Sequence, residues 1–177
     1  MIPHIGIEKA PMVFDLETGE IPKGLGKQEK LDYYREEMEA HIACATRVIT
    51  ARPRTFEQYR FKVYIFHQDA KQLIKDMHRS HAVSGYNIDY FDLNVLLKYG
   101  LDMDKITSED LRPADLVVSP HDKWPSLATM AELNLGVTKN GYDPSLSQED
   151  MIEYCKWDVY LTAELYKCRI RGELKRC

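Results

Sequence analysis

Cysteine is scarce in this chain, four in 177 residues, and the four are badly placed for any joint task. Cys44, Cys155, Cys168 and Cys177 form no C-x-x-C pair and have no histidines at zinc-binding spacing. They read as reduced thiols, which excludes a disulfide framework and a structural zinc site. Long apolar runs are also missing. None approaches the ~20 residues that a membrane span needs, and the N-terminal MIPHIGIEKA lacks the pattern of a secretory signal, so a cytoplasmic protein with no membrane partner is expected. No repeat or low-complexity stretch occurs, and 44% hydrophobic with 29% charged residues excludes the disordered and collagen-like classes. Positive charge is in deficit: 24 Lys and Arg stand against 28 Asp and Glu, a net charge of −4. That excludes gripping nucleic acid by bulk positive potential, but not a cluster of acids gathered around cations. The length fits one domain, residues 1–177, with a sizeable core.

Hydrophobic periodicity places the elements. MVFDLET at 12–18 reads as a strand, and ETGEIPKGLGK after it as a loop. QEKLDYYREEMEAH is charged enough to be an exposed helix, and residues 21–41 together have the look of an insertion. IACATRVIT at 42–50 and YRFKVYIF at 59–66 are expected to form a hairpin, followed by an amphipathic helix over 68–79 and a short buried strand, HAVSGYN, ending at Gly85. YFDLNVLLKYG is helical and stops at Gly100. DLVVS at 115–119 is the expected fifth strand, and SLATMAELNLG at 126–136 a helix with Ser126 as N-cap and Gly136 just past its end. SQED at 147–150 resembles a capping box and opens a long last helix. Strands come first and then alternate with helices, the pattern of an α/β mixed sheet covered by helices.

Three groups of acids fall on these elements. In a strand, side chains alternate between faces, so Asp15 and Glu17 point one way while Phe14 and Leu16 point the other. GYNIDYFD places Asp89 and Asp92 where a strand hands over to a helix, a favoured position for function in α/β folds. YCKWD sets Tyr154 and Asp158 four residues apart on one helical face. Each group alone is common by chance: a solvated strand end, a first-turn aspartate favoured by the helix dipole, an accidental helical pair. Their conjunction, in this order, is far rarer than its parts. Carboxylate oxygens are the ligands that Mg²⁺ and Mn²⁺ prefer.

The three stretches resemble the motifs of the DEDD (DnaQ-like) superfamily of 3′ to 5′ exonucleases, in the group with a tyrosine in the third motif that includes the proofreading domains of family B DNA polymerases. FDLET at 14–18 is similar to the first motif, GYNIDYFDLNVL at 85–96 to the second, and YCKWDVYLTAEL at 154–165 to the third. SLATMAELNLG resembles the helix before the third motif, so the likeness spans most of the chain. It implies a ribonuclease-H-like five-stranded sheet, three antiparallel strands joined by two parallel ones, flanked by helices. It also implies two divalent ions, Mg²⁺ or Mn²⁺, held by Asp15, Glu17, Asp92 and Asp158, with Tyr154 orienting the attacking water. Asp89 is left as a neighbour, because the motif's acid follows the phenylalanine, here Phe91. The implied reaction is hydrolysis from the 3′ end of single-stranded nucleic acid, DNA before RNA, releasing nucleoside 5′-monophosphates, with a separate polymerase or repair protein as a partner to consider. The segment 21–41 is longer and more charged than the family's link between its first two strands, and no polymerase domain is present.

The chemistry accounts for the acids in its own right. Two ions about 3.5–4 Å apart can make a nucleophile from water at neutral pH and hold the charge that develops on both oxygens of the broken ester. Tyrosine's ordinary pKa of ~10 makes it a poor base at neutral pH, so Tyr154 is read as a positioning group. By resemblance, Leu16 and Thr18 touch the terminal nucleotide, with Asn87 and Phe91 as weaker candidates. The dense basic stretch around Arg52 and Arg54 is a candidate for phosphates upstream of the scissile bond. A ribonuclease-H-like endonuclease would not need Tyr154, and a non-catalytic binding module of this fold would be expected to have lost an acid.

Overall fold

The computed structural model describes residues 10–80, 82–112, 124–139, 141, 143 and 145–175. The chain builds β1 (Met12–Thr18), α1 (Lys27–Glu36), β2 (Ala40–Arg47), β3 (Lys62–Ile65), α2 (Phe66–Ser80), β4 (Ala82–Gly85), α3 (Asp92–Leu97), β5 (Thr107–Asp110), α4 (Leu127–Leu135) and α5 (Gln148–Arg171). One sheet holds all five strands in the order β3-β2-β1-β4-β5. β2 runs antiparallel to its neighbours β1 and β3, and β4 and β5 run parallel to β1. The fold is therefore the α/β mixed sheet of three antiparallel and two parallel strands, flanked by helices, that the motif order implied.

The period of two in β1 divides the core. Met12, Phe14 and Leu16 pack with Tyr64, Leu73 and Met77 on the side of α2 and α3. Val13 goes to the other side, where Cys44 meets Cys155, Val159 and Ala163 of α5. Asp15 and Glu17 share the Val13 face by alternation, so both carboxylates are aimed toward α5. Each buried leucine or phenylalanine contributes about 1.5–3 kcal/mol, and a one-residue slip of β1 would put the acids into the α2 side of the core. The binary pattern thus fixes where the acids point.

Several boundaries differ from the sequence expectation. β2 is Ala40–Arg47 and not 42–50, because its ladder with β1 ends at the Met12 to Arg47 pair, where β1 begins. β3 keeps only four of the eight residues expected. Phe56–Gln58 forms a 3₁₀ turn, and Tyr59 and Phe61 are drawn into an aromatic group with Tyr160, the rings of Tyr59 and Tyr160 lying 5.4 Å apart. The exposed helix begins at Lys27 and ends at Glu36, with Tyr34 buried against Phe91, ring centroids 4.9 Å apart. α3 spans six residues, and a turn carries the chain to Gly100 at φ +94°. The strand expected at 115–119 lies outside the described residues. The fifth strand of the sheet is Thr107–Asp110, TSED, a polar edge strand held by backbone pairing to β4 and invisible to a hydrophobic pattern. The last two helices are where the caps placed them: the Ser126 hydroxyl accepts from the Thr129 N–H, Gly136 is left-handed, and Ser147 accepts from the Asp150 N–H.

Candidate functional site

β1 supplies the first pair of acids and α3 brings the third. The Leu16 N–H donates to Asp92 Oδ1 at 3.2 Å, so the first residue of α3 is pinned to the backbone between Asp15 and Glu17. The turn that delivers it is fixed from several sides. Gly85 has no room for a side chain: a Cβ there would lie 2.1 Å from Ile88 Cγ2 and 3.0 Å from the Phe14 carbonyl. Asn87 follows in the left-handed region at φ 65°. The Asp110 carboxylate at the end of β5 accepts from the N–H groups of Asn87 (2.8 Å), Asp89 (3.2 Å) and Arg112 (2.8 Å). Asn94 donates to the carbonyls of Asp89 and Tyr90 and accepts from Arg35 Nε of α1 at 2.8 Å. The turn is held by β5, α3 and α1 together, and Asp92 itself is only 2% exposed.

α5 brings the fourth acid. Tyr154 and Asp158 stand one turn apart, beside Lys139 from the segment that precedes the helix. Lys139 Nζ lies 3.0 Å from Asp158 Oδ2, donates to the Tyr154 hydroxyl, and sits 4.2 Å from the centre of the Tyr154 ring. This cation went unnoticed in the sequence, because Lys139 lies in a stretch without periodicity and nothing local marks it.

The acids outnumber their counter-charge, and their protonation shows it. Burial, then the charges of Asp158, Asp92 and Glu17, push Asp15 well above the carboxylate range, with Lys139 opposing. Glu17 is pushed up to about 8 by burial and by Asp158. Asp92 rises to about 7 through burial, against the stabilising N–H groups of its own residue and of Leu16. Asp158 rises to about 6 through burial, held back by Lys139. Burial opposes the Lys139 ammonium, but Asp158 and Tyr154 outweigh it and raise its pKa. Two carboxylate oxygens, Glu17 Oε1 and Asp158 Oδ1, are buried without a hydrogen-bond partner among the described residues. Such orphaned acceptors cost about 1–3 kcal/mol each, and a bound cation is one thing that satisfies them.

Asp15, Glu17 and Cys155 form a group able to hold a metal ion, with candidate ligand atoms all within 4.8 Å of one another. The sulfur is the weakest member. Cys155 Sγ donates to the Asp15 carbonyl at 3.5 Å, and burial keeps the thiol protonated far above its ordinary pKa. Hard cations prefer oxygen, so the remaining ligands are better sought in Asp92 and Asp158, whose charges Asp15 already feels. Cys44, Cys155 and Cys168 are buried free thiols.

The residues expected at the substrate are dispersed. Leu16 is 5% exposed, with its side chain in the α2-side core and its N–H engaged by Asp92. Thr18 is half-buried, and its hydroxyl donates to the Gly19 carbonyl. Phe91 is half-buried under Tyr34, and Asn87 leaves Oδ1 buried without a partner among the described residues. Arg52 is exposed, and the Arg54 N–H donates to Glu164, six residues along α5 from Asp158 and about 9 Å away along the axis. The fold gathers the five motif residues and keeps the basic pair apart from them.

No helix among the described residues is long and apolar enough to cross a membrane. The sequence matches no protein-family model and no curated protein, so what the acids do must be argued from their geometry and their motifs.

Proposed function

We propose that the protein is a metal-dependent 3′ to 5′ exonuclease of the DEDD type with a third-motif tyrosine, acting on single-stranded nucleic acid, DNA before RNA, in the cytoplasm. The observation that carries this reading is the convergence of four carboxylates from three distant stretches of chain, with one lysine to offset them and two of their oxygens orphaned among the described residues. A merely structural cluster would be expected to match its charges. Asp15, Glu17, Asp92 and Asp158 are the residues that would hold divalent cations, Mg²⁺ or Mn²⁺. Such ions supply an activated water and stabilise charge on the phosphoryl and leaving oxygens.

The chain's own groups do the rest. The N–H of Leu16 fixes Asp92 against β1, so the second-motif acid cannot drift from the first. The rigid β1 and α5 backbones set the spacing of Asp15, Glu17 and Asp158, which keeps the reorganisation needed for the reaction small. The Tyr154 hydroxyl would orient the nucleophile and, with its pKa raised by burial, stays a neutral hydrogen-bonding group. Lys139 offsets Asp158, and a divalent cation held by these acids would offset it more strongly. A second reading has one observation in its favour: the Lys139 to Asp158 pair also suits a binding module that never takes a metal. A separate polymerase or repair protein remains a partner to seek.

The deciding experiment uses 5′-labelled DNA and RNA oligonucleotides with Mn²⁺, Mg²⁺ or EDTA. A ladder shortening from the 3′ end, with 5′-monophosphate products in metal only, is expected, faster on DNA. No metal-dependent ladder on either substrate, with binding retained in EDTA, would favour the binding module.

A further inference from the structure

A second polar site lies at the other end of the sheet. Where β1 begins and β2 ends, a cavity of about 510 Å³ opens with Arg47, Arg54, Arg60 and Lys62 in its lining. One acid among the described residues that line it, Asp76, pairs with Lys62 at 2.5 Å. Arg47 spends its guanidinium on neutral groups, the Ala10 carbonyl and Ser80 Oγ, both at 3.2 Å. Arg54 and Arg60 enter no ion pair among the described residues. Among the described residues that line it, cations exceed acids by three, in a chain of net charge −4. The rings of Tyr59 and Tyr64 add apolar wall, and the volume falls within the range of small-molecule sites, ~300–1,000 Å³.

The wall that carries Arg54 and Tyr59 is held in place before any ligand arrives. Glu164 Oε1, on α5, accepts from the Tyr59 hydroxyl (2.6 Å), the Arg54 N–H (3.1 Å) and Lys167 Nζ (2.8 Å), and the Tyr160 hydroxyl donates to the Arg54 carbonyl at 3.3 Å. Glu164 and Lys167 are 4% and 1% exposed. Binding to such a wall spends little on ordering it. The cavity is also separate from the acids. Met12 lines it, three residues or about 10 Å along β1 from Asp15, and points to the opposite face.

We infer that this cavity is a phosphate-binding site for a nucleotide, with Arg54 and Arg60 as the anion ligands and the tyrosine walls against the nucleoside. Guanidinium groups suit phosphate because their planar fork donates two parallel hydrogen bonds. The site does not depend on hydrolysis, since neither arginine is bonded to Asp15, Glu17, Asp92 or Asp158 among the described residues. The phosphate can belong to a free mononucleotide or to a strand passing around the β3 edge, and the same chemistry recognises both.

Titration calorimetry in EDTA, which withholds any cation that could bind phosphate at the acids, separates these sources. The probes are deoxyadenosine 5′-monophosphate, deoxyadenosine, a dinucleotide and a twelve-nucleotide strand. The expected result is saturable binding of the monophosphate but not of the nucleoside, weakened roughly tenfold or more by Arg54→Ala with Arg60→Ala. Asp15→Asn should leave it unchanged, and Arg54→Lys with Arg60→Lys should restore part of it. If the monophosphate and the dinucleotide do not bind but the long strand does, and only that binding weakens in the double alanine variant, the phosphate is the strand's. If no probe is weakened by the double variant while its melting temperature matches wild type, the proposal is overturned. Failure of the exonuclease reading would leave all of these outcomes unaltered, because none uses metal or turnover.

Discussion

Helix α5 carries two buried charge clusters, and they differ in one respect that matters. Toward its C-terminal half, Glu164 and Lys167 pair at 2.8 Å, and the same Glu164 oxygen takes two further donors. Toward its N-terminal half, Asp158 pairs with Lys139 at 3.0 Å but stands among three more acids, and it leaves Oδ1 without a partner among the described residues. The first cluster is matched and closed. The second has an excess of one sign and open acceptors. Burial of charge is therefore common to both clusters; what separates them is the mismatch. A matched pair stitches the 48–61 connection onto α5, while a mismatched cluster is poised to take up something positive.

The largest expected effects test that distinction on the chemistry. Asp92→Asn should lower hydrolysis on the order of a thousandfold or more, since a bound metal supplies several kcal/mol of charge stabilisation. Asp89→Asn should keep most of the activity, because Asp89 is exposed and is held by its backbone, the N–H by Asp110 and the carbonyl by Asn94. Equal losses measured in single-turnover assays would break the assignment of the second-motif acid.

Next in size is the matched cluster. Glu164→Ala strands Lys167 in the interior and should cost about 3–5 kcal/mol in chemical denaturation, whereas the paired change Glu164→Gln with Lys167→Met, which removes both charges and keeps an acceptor for Tyr59 and Arg54, should cost far less. Neither should alter the metal concentration at half-maximal activity. A paired change that abolished activity while the protein stayed folded would blur the contrast between the two ends of α5.

Metal and pH come third. An ion that binds only the native state adds ~2.7 kcal/mol at a hundred times its dissociation constant, so Mn²⁺ should raise the melting temperature of the wild type and far less that of Asp15→Asn. Without metal, Glu17 and Asp92 hold protons up to about 8 and about 7 in the fold, against roughly 4 in the unfolded chain. Between those values the native state binds more protons than the unfolded one, so its stability falls as pH rises. In EDTA the protein should melt higher at pH 5 than at pH 8, and Mn²⁺ should reduce or reverse the difference. A melting temperature that rises with pH in EDTA would mean the acids are not crowded as described.

How legible this was in the sequence depended on what kind of signal each part leaves. Alternation in MVFDLET gave the facing of Asp15 and Glu17, and helical spacing gave Tyr154 with Asp158; both are local and periodic. Ser126, Gly136 and Ser147 announced their helices through cap chemistry. β5 escaped because an edge strand of TSED is specified by its neighbour's backbone and not by its own side chains. Lys139, Asp110 and the link from Arg35 to Asn94 escaped for a related reason: each acts across 15 or more residues of chain, through contacts that only the folded topology creates. The basic stretch was visible as a run of charge, but the run could not tell that α5 holds Arg54 about 9 Å from Asp158 along its axis.

The smallest expected effect is the sharpest probe of how the mismatched cluster works. Tyr154→Phe removes a hydroxyl that accepts from Lys139 and deletes no carboxylate. The loss of one charge-assisted hydrogen bond should slow turnover about tenfold, ~1.4 kcal/mol, with KM and the metal dependence of melting little changed. A fall in kcat alone marks an interaction made in the transition state, whereas a rise in KM alone would mark one made equally with the bound substrate. The variant also frees Lys139 from one of its two partners, so it should hold Asp158 more firmly, and the Mn²⁺ needed for half-maximal stabilisation should rise if it moves at all. A variant with unchanged kcat would reduce Tyr154 to packing beside Lys139, and the mismatch of charge would then rest on the four acids and Lys139.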